Sequence, residues 1–289
     1  MGRLFVAGIV QGSIYGLLAL GIVLVYKGSR VLNFAQGEFG GFALFVSWTL
    51  IERWKLPWAL GALVGVLSAV VIALVFERLI VRRMANASRL AIAVATVGLF
   101  LLLVSLELVV WKQAIAFLRP PITGTSVMFL GYPMSPVKML AIGALLTIGV
   151  GAAAFLRYTD FGLGVLAASQ DVEATRLVGI KVSRVSAFTW GSAAALGAIA
   201  ALLVEPIVGN FAPGSMTEFF IRGLAAALVG GLTSLPGAFV GGLSVGIAEA
   251  FAVRLVGQTT FPAFYSVVML VIIIAILLLR PAGLMGKRA

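Results

Sequence analysis

Histidine and cysteine are absent from this 289-residue chain, and only ten acidic residues are present. The missing types remove imidazole, thiol and disulfide chemistry together, along with the usual ligands of zinc and haem. No G-x-x-x-x-G-K-[ST] run is there to cradle a phosphate, and neither a G-x-S-x-G elbow nor an H-E-x-x-H pair occurs. An enzyme has little to stand on here. The chain is expected to hold no metal or cofactor of its own, and any nucleotide that drives it must bind another subunit.

Charge is scarce as well. Only 11% of residues are charged, against about 25% in soluble domains, while 62% are apolar and the mean hydropathy is +1.15. Apolar runs of about 20 residues recur along the whole length, each able to cross the roughly 30 Å hydrocarbon layer as a helix. This pattern predicts an all-α polytopic transmembrane bundle, a single domain over 1–289 in a lipid bilayer. The opening run from Met1 to Tyr26 has no A-x-A cleavage site and stays apolar too long for a signal peptide, so it reads as a retained first span.

Nine apolar segments stand out, at 4–26, 34–51, 58–76, 90–111, 137–156, 185–204, 219–232, 236–253 and 263–279. Segment 219–232 has about 14 residues, below the 17 to 25 of a usual span, and Gly230-Gly-Leu-Thr-Ser-Leu-Pro-Gly237 interrupts it from the next. The pair 219–253 therefore either spans twice or forms a re-entrant hairpin, giving eight to nine membrane segments. The net charge of +11 does not point to nucleic acid, because the basic residues sit in short loops, where the positive-inside rule puts them. With the N-terminus outside, 27–33, 77–89, 157–184 and 280–289 are cytoplasmic and hold 13 of the 21 Lys and Arg. The connection 112–136, rich in Pro and Gly, reads as an irregular extracytoplasmic loop long enough to touch a soluble partner.

Three places carry chemistry. Asn33-Phe-Ala-Gln36-Gly37-Glu38 opens a span with two amides, an acid and flexible backbone, which suits either a solute path or gate or a helix cap by Asn33. The loop 157–184 contains a compact helix signal, with Ser169 as a possible cap, Asp171 and Glu173 near the positive end of the dipole, Arg176 near the other, and Gly179 at the left-handed C′ position. Such a helix is either a solvated loop or a grip for another protein. Glu218 and Arg222, one turn apart and acid first, suit a structural ion pair. Glu107, Glu205, Glu218 and Glu249 fall near the outer ends of their segments, where carboxylates can reach interfacial water. No central carboxylate cluster of the kind an ion-coupled carrier needs is apparent. Gly8, Gly12 and Gly16, and again Gly237, Gly241 and Gly246, are spaced for close helix packing in lipid.

Asn33–Glu38, Ala167–Ile180, the run Gly230–Glu249 and the tail Arg280-Pro-Ala-Gly-Leu-Met-Gly286 together resemble the branched-chain amino acid ABC importer permeases, specifically the shorter of their two paired types. The similarity runs over essentially the whole chain. It implies a permease that works by alternating access beside a sister permease, a heterodimer in preference to a homodimer. It also implies two cytoplasmic ATPases that hold ATP and Mg, and an extracytoplasmic solute-binding protein. By the same resemblance Ala167, Asp171, Glu173, Ala174, Arg176 and Gly179 would couple to the ATPases. Asn33, Gln36, Gly37 and Glu38, with Gly230, Gly231 and Gly237, would line or bend the path. Relatives usually carry a basic residue just before the loop's alanine, where this chain has Leu166. The implied setting is a bacterial inner membrane with the C-terminus in the cytoplasm. An ion-coupled secondary carrier or channel is the alternative.

Overall fold

The computed structural model describes residues 1–85, 87–112, 115–256, 271, 274, 278 and 283–286. Ten helices dominate these. They are α1 (Gly2–Ser29), α2 (Gln36–Trp48), α3 (Trp58–Phe76), α4 (Arg89–Trp111), α5 (Pro136–Tyr158), α6 (Asp160–Gln170), α7 (Val172–Leu177), α8 (Val182–Val208), α9 (Met216–Gly230) and α10 (Leu235–Val256). Single π-helical turns extend α2 over Thr49–Arg53 and α3 over Glu77–Val81. Six helices among the described residues are long and apolar enough to cross a membrane: α1, α3 with its extension, α4, α5, α8 and the Leu235–Arg254 part of α10. Most of the expected segment 263–279 and most of the tail lie outside the described residues.

Burial sorts these helices into layers. The best 18-residue window of α1 is 89% buried inside the protein, whereas those of α3 and α4 are 28% and that of α5 is 22% buried. A helix that is apolar all round and enclosed on all sides is a central post, while α3, α4 and α5 keep one buried stripe and turn the rest outward. In α4 that stripe is Ile92, Thr96, Leu99, Leu103 and Glu107, and in α3 it is made of small residues, Gly61, Ala62, Gly65, Ala69 and Ala73.

Glycine decides how α1 meets its neighbours. A Cβ on Gly8 would stand 2.5 Å from the Cα of Ile247, and one on Gly12 would stand 2.7 Å from the carbonyl oxygen of Gly242. Gly8, Gly12 and Gly16 thus face Gly242 and Gly246 across one seam, with the backbones of α1 and α10 in direct contact, whereas Gly237 and Gly241 of the second series pack against Gly230 and Ala226 of α9. At the other end of α9, Gly230 and Gly237 press against each other across the turn into α10. The described tail residues seal this turn, since the N–H groups of Leu284 and Met285 donate to the carbonyls of Val229 (2.7 Å) and Gly230 (3.1 Å). Those carbonyls lie in the last turn of α9, where no intrahelical donor is left for them.

Two ends of the bundle are distinct. At the basic end Arg30 donates to the carbonyl of Ser169, and Arg82, from the close of α3, reaches the carbonyl of Ser183 at the start of α8. At the opposite end the connection 112–136 folds onto 205–215. Ala116 and Phe211 exchange backbone hydrogen bonds (2.8 and 3.0 Å), and Glu205 accepts from the N–H of Leu118 at 3.0 Å. The connection is not wholly irregular: Val127–Phe129 (β1) and Tyr132–Met134 (β2) pair antiparallel around Leu130 and Gly131, which both have positive φ. A two-residue turn with both centres left-handed matches strand twist, a signal that the surrounding prolines obscured.

Candidate functional site

The α2 entry is the most polar part of the interior. Residues 31–35 are not helical, and α2 begins only at Gln36, already enclosed. Asn33 is 2% exposed, and Gln36 and Glu38 are fully buried. Asn33 is not the helix cap. Its Oδ1 accepts from the N–H of Ala35 at 3.0 Å, closing an Asx turn before the helix, and its amide faces Gln36 Oε1 at 3.4 Å. Gln36 donates to the carbonyl of Ala193 in α8 at 2.6 Å. Gly37 lets α2 approach α9, because a Cβ there would meet the Cβ of Phe220 at 2.7 Å and the carbonyl oxygen of Met216 at 2.8 Å.

Glu38 is joined by a second acid that the sequence placed at the interface. Glu107 is fully buried, as are Glu205 and Glu249 to within 5% exposure, so the expectation that these three face interfacial water is overturned. The reason is that each lies on the inward stripe of its helix and is covered there: the connections supply the N–H groups of Leu118 to Glu205 and of Gly214 to Glu107, and Tyr15 and Arg222 close over Glu249. Thr217 donates to Glu38 Oε1 at 2.8 Å, and the N–H of Gly214 donates to Glu107 Oε2 at 3.1 Å. The remaining oxygens, Glu38 Oε2 and Glu107 Oε1, have no hydrogen-bond partner among the described residues. Both converge on Gly41, where a Cβ would lie 2.6 and 2.9 Å from them. A pair of inward carboxyls from α2 and α4 therefore meets at one point, each tied separately to the segment that starts α9.

Gly230, Gly231 and Gly237 do not belong to this group. Gly37 touches α9 at Met216 and Phe220, whereas Gly230 lies ten residues, about 15 Å of helix, further on. The seven path residues fall at two places, one at each end of α9.

Between those places lies an ionic chain. Arg222 meets Glu218 at 2.7 Å and Glu249 of α10 at 2.9 Å, and Glu249 accepts from the hydroxyl of Tyr15 in α1 at 2.6 Å. The i,i+4 pair is only its outer half. Glu249 is 5% exposed, so the inner half joins α1, α9 and α10 away from water.

The segment after α5 is bent into two helices at Asp171, not one. Ser169 sits inside α6 with its hydroxyl on the carbonyl of Leu166, and the cap of α7 is Asp171, whose Oδ1 accepts from the N–H groups of Glu173 (2.8 Å) and Ala174 (3.0 Å). Gly179 has φ of +84°, just past the end of α7. Asp171, Glu173, Ala174, Arg176 and Gly179 are exposed, and Ala167 is half-buried against the bundle with Leu166 beside it. Leu177 and Val178 extend this exposed face as bare apolar side chains, 88% and 74% exposed.

The sequence profile of the branched-chain amino acid transport system permease component matches residues 4–277. This chain belongs to that family. Similar proteins include the high-affinity branched-chain amino acid transport system permease protein BraD of Pseudomonas aeruginosa, 30% identical over 98% of this chain and 94% of its own. LivH of Escherichia coli is 29% identical over 97% of this chain and 94% of its own, and the probable LivH of Methanocaldococcus jannaschii is 26% identical over 96% and 90%. No solved structure matches the chain. The protein is a permease subunit of an ABC importer, with ATP hydrolysis carried out by separate subunits.

Three features of this permease were not drawn from the sequence. Thr96 and Glu107 share one face of α4, at positions in phase with Leu99 and Leu103, and that phase marks Glu107 as an inward acid. Glu249 sits in a run whose other neighbours are apolar, the mark of a buried acid with a distant partner. The apolar pair Leu177–Val178, ending a polar helix, is the signal of a contact face.

Proposed function

We propose that this permease imports branched-chain amino acids across a bacterial inner membrane by alternating access, in a heterodimer with a sister permease. On this reading the basic end, with 27–33, 77–89 and 157–184, faces the cytoplasm, and the 112–136 connection meets an extracytoplasmic binding protein. The membrane segments number eight or nine, depending on how 219–253 crosses. Two ATPase subunits carry ATP and Mg, and this chain contributes no nucleotide ligand.

The observation that carries the proposal is the exposed α7. A six-residue helix capped by the aspartate before it is locally firm, yet it ends at two large apolar side chains that nothing among the described residues covers. Such a face is stable in water only at a cost, and a docked ATPase removes that cost. Asp171 holds the helix, Glu173, Ala174 and Arg176 give it a polar rim, and Gly179 turns the chain back to α8. Movement of α6 and α7 then biases the bundle between two states in which solute has different affinity.

The carboxyl pair Glu38 and Glu107, with Asn33 and Gln36, forms a buried polar cluster at the non-helical entry of α2, which lines the path in the proposed mechanism when the bundle opens. Non-helical backbone at membrane depth is tolerated where it lines a cavity or is packed in protein, and a transporter uses the first kind. Buried acids of this type would also serve an ion-coupled carrier, so the energy source is the deciding test. The tagged permease is recovered from detergent-solubilised membranes, and ATPase activity is measured with each candidate loaded binding protein. Co-purification of ATPases and stimulation by a leucine-, isoleucine- or valine-loaded protein is the expected result. Uptake that survives loss of ATPase function and follows an ion gradient refutes it.

A further inference from the structure

A cavity of about 500 Å³ opens at the basic end, behind α7, between the close of α3 and the start of α8. Its size lies within the roughly 300–1,000 Å³ of small-molecule sites. Glu77, in the π-helical turn that ends α3, is one of its lining residues. The residue is 1% exposed, its Oε2 accepts from Arg82 at 2.9 Å, and its Oε1 has no hydrogen-bond partner among the described residues. Arg176 of α7 and Lys181 at the start of α8 also line it, both exposed, with no acidic partner among the described residues. Val81, Ile92, Val172, Ile180 and Val182 supply its apolar lining.

A buried carboxylate oxygen without a donor asks for an N–H or an ammonium group. A water could satisfy that oxygen, but it would leave the two cations without an anion. An anion alone would answer the cations and be repelled by Glu77. A molecule that carries an ammonium, a carboxylate and an apolar body meets all three demands. We infer that this cavity binds a free apolar α-amino acid, with the ammonium on Glu77 Oε1, the carboxylate toward Arg176 and Lys181, and the side chain against Val81, Ile92 and Val172.

The inference deepens the proposed function and rests on it, because the ligand is the solute after delivery and α7 is the element that couples to the ATPase. Arg176 and Val172 belong to α7, and Glu77 belongs to α3. An amino acid held between them ties the coupling helix to the bundle. Solute accumulated on the cytoplasmic side thereby slows further import.

The test uses the complete importer in phosphatidylcholine nanodiscs, with ATPase activity driven by saturating loaded binding protein and leucine then added in excess. Wild type is expected to lose activity with rising leucine. Glu77→Gln and Lys181→Ala are expected to keep the starting activity and to need about 10- to 100-fold more leucine for the same inhibition, the cost of one charge-assisted contact. Lys181 is on the surface, so its variant folds even if that of Glu77 does not. Inhibition by leucine that is equal in all three proteins, or no inhibition in wild type, overturns the site while stimulation by the binding protein leaves the importer reading intact. Absence of any stimulation by branched-chain solutes overturns the importer reading itself. A loss of leucine inhibition when phosphatidylethanolamine replaces phosphatidylcholine assigns the cavity to a lipid headgroup and also overturns the proposal.

Discussion

Replacing Gly12 tests whether the seam between α1 and α10 holds the bundle together. A Cβ at this position would lie 2.7 Å from the carbonyl oxygen of Gly242 and 2.8 Å from the Cα of Leu243, where carbon contacts settle at about 3.5–4.0 Å. The obstacle is backbone on both counts, so no rotamer change can make room, and Gly12→Ala must part the helices by about 1 Å. Overpacking costs about 1–3 kcal/mol, and a backbone clash belongs at the upper end. Alanine regains about 1 kcal/mol of helix propensity, leaving a net loss of about 2 kcal/mol. For a chain of this size that corresponds to a fall in Tm of roughly 4–8 °C. Gly12→Val should fall further, having more bulk and no greater propensity gain. The assay is thermal unfolding of the purified permease in detergent, with Gly98→Ala and Gly143→Ala as controls, because a Cβ at either meets nothing within 4 Å. Those controls should leave Tm unchanged or slightly raised. If Gly12→Ala behaves like Gly143→Ala, the close contact is not a source of stability and the reasoning fails.

Arg222→Met leaves Glu249 buried with Tyr15 as its one hydrogen-bond partner among the described residues, a loss of about 3–5 kcal/mol, and adding Glu249→Gln should restore much of it in the same unfolding assay. Glu38→Gln and Glu107→Gln should each lower uptake by about tenfold, the value of a contact made in only one state, without changing recovery of the assembled importer; full uptake in both would assign the pair to packing. Asp171→Ala removes both cap bonds, worth about 1 kcal/mol, and should reduce stimulated ATPase activity, while Asp171→Asn retains it because asparagine caps as well. Leu177→Asp should abolish co-purification of the ATPases while the permease itself keeps its Tm, since Leu177 touches little of this chain; retained co-purification would remove α7 as the docking face.

Helix positions were legible because each apolar run in lipid must satisfy its own backbone groups, yet of the nine predicted segments six correspond to described helices long and apolar enough to span, and 34–51 and 219–232 do not. Predicted segment 137–156 became Pro136–Tyr158, and 236–253 became Leu235–Val256. Inward and outward faces were less legible, because both are apolar in a membrane and hydrophobic contrast vanishes. That is why Glu107 and Glu249 were assigned to interfacial water: distance along the helix was counted and direction around it was not. The break at Asp171 was missed for another reason. Ser169 and Asp171 are both good caps, and local pattern cannot tell which carbonyl and N–H groups the packing of α6 leaves open. Gly230 and Gly237 were grouped with Glu38 by the family resemblance, although the length of α9 separates them.

The position of α1 explains how one permease can connect a cytoplasmic grip to a path across the bundle without a dedicated lever. Its last turn is tied to α6 by Arg30 on the carbonyl of Ser169, its middle lies against α9 where a Cβ on Gly223 would meet Leu18, and its first half runs along α10 through Gly8 and Gly12. Gly21 lies beside the Gln36 amide, so the same helix also borders the polar entry of α2. On the proposed mechanism, a shift of α6 and α7 has to move α1 or strain its last turn. Moving α1 carries the α9–α10 hairpin with it, because the glycine seam allows no sliding without a clash and the Tyr15–Glu249–Arg222 chain fixes the register. The α2 entry, held to α4 by the N–H of Phe34 on Thr96 Oγ1 and to α9 by Thr217 on Glu38, is then the part left to change its contacts, and those contacts are the polar ones.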